Sequence, residues 1–406
     1  MKYTIIPSGF KESLSAGEVG YAIEKGIRNV VPNEDIQVIP MVDGGEGFVE
    51  TMIKVKKGYK IETEVTGPVG EPISSFFGIF KEKGQTIAVI EMAAIAGLRH
   101  VPQHQRNPLY TTTYGVGETL IKALDYGVDR ILIGCGDSGT SDGGIGMAQA
   151  IGVKLYDHQQ NRIHIQGGAD IHKIAEMDLS QIDSRLQEMQ IDVAVNWTNV
   201  LCGEHGVARV FGPQKGATPE EVEHLSMNLE HLATLIERQT GKNLRTVEGS
   251  GASGGLGAGL MAFAHAQLHP RFDIIMDYID VEEAIAQSDI VITAEGCIDY
   301  QTPNGKIPSE VARIAKNYDK PVIAFAGTIG TNAKINYQSG IDAFSSIIPC
   351  PATLENAIED VEKWLEGSAE SAIRYISIGM SMSQSIQDED NDDVFQDEKV
   401  AVHDAS

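Results

Sequence analysis

The chain has 406 residues, 42% hydrophobic and 22% charged, with 57 acidic against 32 basic side chains and a formal net charge of -25. That length predicts two or three domains with full cores, and the acidic balance argues against nucleic acid as a partner, because phosphate backbones are held by a surplus of lysine and arginine. No apolar run approaches the roughly 18 to 20 residues that cross a bilayer, and the N-terminus lacks the grammar of an export signal, so no membrane partner and a cytoplasmic location are expected.

In chain order, residues 3–6 read as a short apolar strand running into Ser8-Gly9-Phe10-Lys11. Ser15 followed by Glu18 has the spacing of a capping box and opens a helix over 16–30. A strand at 36–40 leads into Val42-Asp43-Gly44-Gly45-Glu46-Gly47 and a helix to about residue 57. Residues 76–80 and 86–90 predict a hairpin, followed by a helix over 112–125 and a strand at 130–133. That strand ends in GCGDSGTSDGG at 134–144, which carries Ser138 and Asp142. A strand at 192–195 leads to Asn196-Trp197-Thr198-Asn199, FGPQKG at 211–216 is a turn by composition, and an amphipathic helix is predicted over 219–238. EGSGASGGLG at 248–257 reads either as a flexible linker or as the N-terminus of the apolar helix that follows, a natural anion site. A strand at 290–293 runs into Glu295-Gly296-Cys297-Ile298-Asp299, then come a helix at 308–316, a strand at 322–326 and a helix at 354–365. From residue 383 the chain is acidic with almost no aliphatic pattern, which predicts a disordered tail.

This alternation predicts an α/β protein with a parallel sheet wrapped by helices, formed by both chain ends, into which a mixed middle region is inserted. Several strand ends carry glycine, carboxylate or lysine. Ligands of open α/β sheets lie beyond the carboxyl ends of the strands, so one cleft assembled from these turns is expected. Each turn also has a plainer explanation: a Gly-Gly pair makes a tight turn, and Asp43 or Asp142 can cap the helix that follows. The four cysteines, Cys135, Cys202, Cys297 and Cys350, lack CxxC spacing, against both zinc and a disulfide framework. Neither GxxxxGK[ST] nor a GxGxxG after the first strand is present.

The blocks IIPSGFKESLSAGEV, VDGGEG, GCGDSGTSDGGIGMAQAIG, FGPQKGAT, GASGGLGAGL and ITAEGCIDYQTPNGKIP, in that order, resemble the bacterial glycerate kinase family over about residues 1 to 375. The resemblance implies a flavodoxin-like domain (1–67 plus 279–382) carrying an inserted mixed α/β domain (68–278), with 383–406 as the acidic tail. It also implies ATP- and magnesium-dependent phosphorylation of D-glycerate, with 2-phosphoglycerate as the product; a homodimer is left open. Phosphoryl transfer needs a carboxylate to orient the attacking hydroxyl and a cation to neutralise the phosphates. Asp43 or Asp142 is expected as the base, Lys11 as a catalytic cation, and Glu295 with Asp299 on the metal side. Ser8, Glu46, Ser138, Asn196, Thr198, Lys215, Gly254, Gly255 and Lys306 are expected to bind substrate or nucleotide.

The chain departs from the family pattern within these blocks. Ser8 stands where relatives usually carry Asp, Cys297 where they carry Arg, Asn196-Trp197 where Asp-Val is typical, Ser141 in place of Asn, and Asp137 in place of Gly. Two alternatives follow: a kinase for another small hydroxy acid, or a catalytically weak relative that binds ligand and serves regulation.

Overall fold

The computed structural model describes residues 1–10, 13–42 and 44–403, with side chains described up to residue 382. The disorder expected of 383–406 therefore falls on residues whose side chains lie outside the described set. The chain divides into two compact units, 1–41 with 281–406, and 42–280.

The first unit is built on five parallel strands, Lys2–Pro7, Asp35–Val38, Ile290–Ile298, Val322–Ile329 and Ala343–Ser346. Numbered within this unit, their spatial order is 2-1-3-4-5, the doubly wound order of flavodoxin-like sheets. The central runs Thr4-Ile5-Ile6, Val291-Ile292-Thr293 and Ala324-Phe325-Ala326 are wholly buried, as a parallel sheet covered on both faces requires. The capping box forms: Glu18 N donates to Ser15 Oγ at 3.3 Å and Ser15 N to Glu18 Oε2 at 2.8 Å, opening the helix Ala16–Arg28. The helix expected over 354–365 is instead two, Leu354–Glu359 and Val361–His403. Helix Ala16–Arg28 lies so close to the second of these that a Cβ on Gly26 would stand 2.2 Å from the Glu366 carbonyl oxygen and 2.9 Å from Ala369 Cβ.

The second unit has a six-stranded mixed sheet in the order Gln267–Pro270, Gln190–Val195, Arg130–Gly134, Gln85–Glu91, Pro72–Glu82, Tyr59–Thr66. The first four are mutually parallel and the last two antiparallel. The expected hairpin joins Pro72–Glu82 to Gln85–Glu91 through Lys83 and Gly84, both at positive φ (49° and 82°), as a two-residue turn that matches strand twist demands. Helix Pro219–Thr240 carries a second capping box, Thr218 with Glu221, and ends on Gly241 at φ 72°. Residues 42–67 group with this unit rather than with the first. The reason is pairing: Tyr59–Thr66 forms a ladder with Pro72–Glu82, from Tyr59 opposite Ile79 to Thr66 opposite Pro72.

All four cysteines are free, Cys135 and Cys202 buried, Cys297 half-buried and Cys350 exposed. Among the described residues no helix is long and apolar enough to cross a membrane. The close approach at Gly26 yields a direct expectation: Gly26→Ala forces a methyl onto backbone that cannot yield, and overpacking of that kind costs about 1–3 kcal/mol. Urea unfolding of the variant checks it, and an unchanged midpoint would contradict the packing described.

Candidate active site

In the first unit the order of the sheet reverses between Lys2–Pro7 and Ile290–Ile298, which pair in register from Tyr3 opposite Ile290 to Pro7 opposite Ala294. The crevice beyond such strand ends is where open α/β sheets bind ligands. Ser8 follows the first strand, and both its amide and its hydroxyl donate to the Ala294 carbonyl at 2.9 Å. Glu295 lies on strand Ile290–Ile298 and Asp299 just past its end. Lys306, at the N-cap of helix Ile307–Lys316, brings its ammonium to 3.3 Å from Glu295 Oε1, 3.9 Å from Asp299 Oδ1 and 3.3 Å from the Cys297 carbonyl. Asp299 is fixed locally, receiving Gln301 N on Oδ1 at 2.9 Å while its own amide donates to Thr302 Oγ1 at 3.0 Å. Burial, and then the nearby Asp299 carboxylate, push the Cys297 thiol up.

Among the described residues no three His, Cys, Asp or Glu side chains are grouped so as to hold a metal unaided. Magnesium commonly takes one or two carboxylates and completes its octahedron with water and phosphate oxygens. The pair Glu295 and Asp299, already facing a cation, suits that donor set.

In the second unit the turns at 44–47 and 134–144 run against each other with no room for side chains. A Cβ on Gly136 would lie 2.6 Å from Gly45 Cα, and one on Gly134 would lie 2.7 Å from the Gly44 oxygen. The glycines of 254–255 serve the same loop from another side: Gly254, at φ 72°, would put a Cβ 2.0 Å from the Thr140 oxygen, and Gly143 N donates to Gly254 O at 3.0 Å. At the helix N-terminus read from 248–257, the Gly255 and Ala258 amides bond internally to Gly251 O and Ser250 O.

Asp142 is wholly buried in this loop. It accepts from Thr113 N at 2.8 Å, Thr113 Oγ1 at 2.9 Å, Gly144 N at 3.0 Å and Gly146 N at 3.2 Å. Burial pushes its carboxyl above the usual range, and those donors pull against it. Lys215, 3% exposed, donates to Ser138 Oγ at 2.8 Å and the Thr140 carbonyl at 2.6 Å. Thr140 Oγ1, Ser141 Oγ and Ser253 Oγ are buried without a hydrogen-bond partner among the described residues. Glu46 donates its amide to Asp137 Oδ2 at 3.1 Å. Asn196 and Thr198 stand past the end of strand Gln190–Val195, where Thr198 N and Oγ1 donate to Asn196 Oδ1 at 3.3 and 3.0 Å. Lys11 and Asp43 lie outside the described residues.

Two charged groups that sequence reading passed over join this set. Glu91 ends strand Gln85–Glu91, 1% exposed, with Oε2 accepting Val49 N at 3.1 Å and Oε1 without a hydrogen bond among the described residues. Burial pushes its carboxyl up to about 7. Arg99 places its guanidinium 3.9 Å from Glu91 Oε1 and 3.8 Å from Glu46 Oε2. Both ion pairs are longer than hydrogen bonds, so the guanidinium keeps donors to spare. A carboxylate at the end of an apolar strand was the legible signal, the same one that marks Glu295.

Burial pulls Lys215 down to about 7, against the attraction of Asp142. Below that pH the amine is charged in both the folded and unfolded chain, and its desolvation cost is present in full. Between there and about 10.4, the ordinary lysine value, the unfolded chain holds a proton that the folded chain does not, so stability rises with pH. The expected contribution is up to about 1.4 kcal/mol per pH unit across that window. Lys215→Met removes it, and urea unfolding at pH 7 and pH 9.5 should show a smaller rise for the variant than for the parent chain.

Comparison with known proteins accords with this geometry. The family model described as the glycerate kinase family matches residues 3–377. A glycerate kinase of Bacillus subtilis (strain 168) is 45% identical over 382 residues, covering 94% of this chain and 99% of the relative. A glycerate 2-kinase of Escherichia coli (strain K12) is 42% identical over 380 residues, covering 94% and 99%. A crystal structure from Salmonella typhimurium LT2 bearing the name glycerate kinase 2 superposes with a TM-score of 0.79 at 44% identity, covering 94% of this chain and 99% of that one. With a match over nearly its whole length and relatives this similar, the chain belongs to the glycerate kinase family.

Proposed function

We propose that this kinase, a phosphotransferase with an alcohol group as acceptor, transfers the terminal phosphoryl group of magnesium-bound ATP to D-glycerate and yields 2-phosphoglycerate. The observation that carries the reading is the 42–45% identity to proteins named glycerate kinase over 93–94% of the chain. The relative named a glycerate 2-kinase supports the position of transfer. ATP as donor implies the cytoplasm as the place of action.

Phosphoryl transfer is mostly positioning and charge neutralisation. Magnesium, when bound with the nucleotide, supplies charge neutralisation on the phosphate oxygens. Glu295 and Asp299 are the carboxylates that would hold it, with Lys306 between them offering a cation to phosphate. In the second unit Arg99 is suited to a substrate carboxylate, because its planar fork matches two oxygens and its acidic neighbours hold it loosely. Lys215, through Ser138 and Thr140, shapes the loop that carries the polar contacts, with Gly254 and Gly255 packed against it. We assign Asp142 to anchoring that loop, since its oxygens are taken by amides and a hydroxyl, and leave the proton-accepting role to Asp43, with Lys11, Ser8, Glu46, Asn196 and Thr198 contributing to substrate or nucleotide binding.

A second reading, a different small hydroxy acid as acceptor, is favoured by Ser8, whose hydroxyl is spent on the Ala294 carbonyl where the family pattern has a carboxylate. ATP consumption measured with a panel of hydroxy acids, with the product read by phosphorus NMR, separates the two. D-glycerate should give the highest kcat/KM and a single 2-phosphate resonance. A better acceptor in the panel selects the second reading, and no turnover with any acceptor rejects both. Glu295→Gln and Asp299→Asn should each lower kcat by about 10- to 1000-fold, the scale of a lost charge contact in the transition state. Arg99→Ala should chiefly raise KM for the acid, about 10-fold or more for a lost charged hydrogen bond, and an unchanged KM would remove Arg99 from the substrate site.

A further inference from the structure

A cavity of about 300 Å3 lies in the second unit away from the loops described above, lined by Lys154, Arg162, His164, Tyr114 and Gln149 with no acidic side chain on its wall. Strands Lys154–Tyr156 and Arg162–Ile163 form its floor as an antiparallel pair, Leu155 opposite Ile163 and Tyr156 opposite Arg162. Alternation along a strand sends neighbouring side chains to opposite faces. Leu155 goes to the core, 1% exposed, so Lys154 takes the other face, and the same register puts Arg162 and His164 there with it. The His164 ring stands edge-on to Tyr114 with centroids 5.7 Å apart.

The charge of this wall is out of keeping with the chain. In a protein of net charge -25 most arginines find a carboxylate, as Arg130, Arg185, Arg209 and Arg245 do. Among the described residues neither the Lys154 nor the Arg162 side chain has a hydrogen bond or ion pair. Asp178, opposite Lys154 on the adjoining strand, accepts the Ser180 amide at 2.8 Å; Ser180 and, after it, the Lys154 ammonium hold its carboxyl below the usual range, and Asp178 does not line the cavity. Two cations, an imidazole and a phenol around a space at the small end of ligand cavities, about 300–1,000 Å3, match a compact dianion. We propose that this cavity binds a phosphate monoester of a small metabolite and that the occupant acts on the 134–144 loop.

Two short connections support the second half of the proposal. Tyr114 opens helix Tyr114–Tyr126 directly after Thr113, whose amide and hydroxyl hold Asp142. Gln149 sits on helix Ile145–Ala150, whose Gly146 amide holds the same carboxylate at 3.2 Å. Both segments that wall the cavity therefore end on one buried anchor, and a ligand with different affinity for two positions of those segments shifts the loop between them.

The site goes beyond the kinase reading, and its test is a binding measurement that stands whether or not glycerate is the acceptor. Calorimetry of the full chain with glycerol 3-phosphate should give saturable binding, weakened at least 10-fold in Arg162→Glu and in the doubly substituted Lys154→Met, Arg162→Met chain, and unchanged in Glu295→Gln. Amide resonances of Gly144 and Gly146 should shift on saturation, and the double variant should lose that shift while keeping its basal kcat. Absence of saturable binding overturns the proposal, as does binding that survives in both cavity variants or vanishes in Glu295→Gln. Inorganic phosphate binding as tightly as the ester would overturn the assignment to a monoester, and unmoved glycine amides would overturn the action on the loop.

Discussion

A carboxylate sealed from water, Asp142, holds together the part of this molecule on which the second unit's chemistry depends. Its acceptors draw in the start of one helix through Thr113 and the start of another through Gly144 and Gly146. A buried carboxylate without such donors would carry a desolvation cost of several kcal/mol. With them it becomes a clamp that ties Thr113 to Gly144 and Gly146. The loop between strand Arg130–Gly134 and helix Ile145–Ala150 is tied at this point, and it holds Ser138 and Thr140 against the amine of Lys215.

The clamp works only because neighbouring chains can come close. Gly134 and Gly136 meet Gly44 and Gly45 backbone to backbone, and Gly254 and Gly255 meet 140–143 in the same way. Any Cβ at these contacts would fall inside van der Waals distance, so glycine is what allows the approach. In the second unit the Gly-rich turns at strand ends are joints that bring hydroxyl, amine and carboxylate groups from distant segments within reach of one another.

Each unit presents a different electrostatic solution to the same need. At the switch point of the first, Glu295 and Asp299 share Lys306. In the second, Lys215 and Asp142 are buried, and Glu91 and Arg99 stand near each other without closing a tight pair. The strand-end rule picks out Glu295, Asp299 and Glu46 in the sequence as candidates. It missed Glu91 because the turn after Ile90 lacks glycines, and Arg99 because a lone arginine after a short helix carries no pattern. The Gly144 and Gly146 amides that Asp142 accepts are the local capping contacts its position suggests, and nothing local reveals that the Thr113 amide and hydroxyl, 29 residues away, close around it as well.

Local chemistry determined what is local. Capping boxes at Ser15 and Thr218, the Lys83-Gly84 turn, the alternation of strand and helix and the acidic surplus all follow from residues within a few positions of each other, where propensity and hydrogen-bond geometry act without help. The resemblance carried by the glycine and lysine blocks added the family. Pairing partners were another matter. Whether residues 59–66 extend the first sheet or the second turns on which strand edge is free to accept their ladder, and that edge belongs to Pro72–Glu82. The same holds for burial: an aspartate, a lysine or a glutamate acquires its protonation behaviour from segments dozens of residues away, because desolvation is a property of everything that surrounds a group and only the folded chain assembles those surroundings.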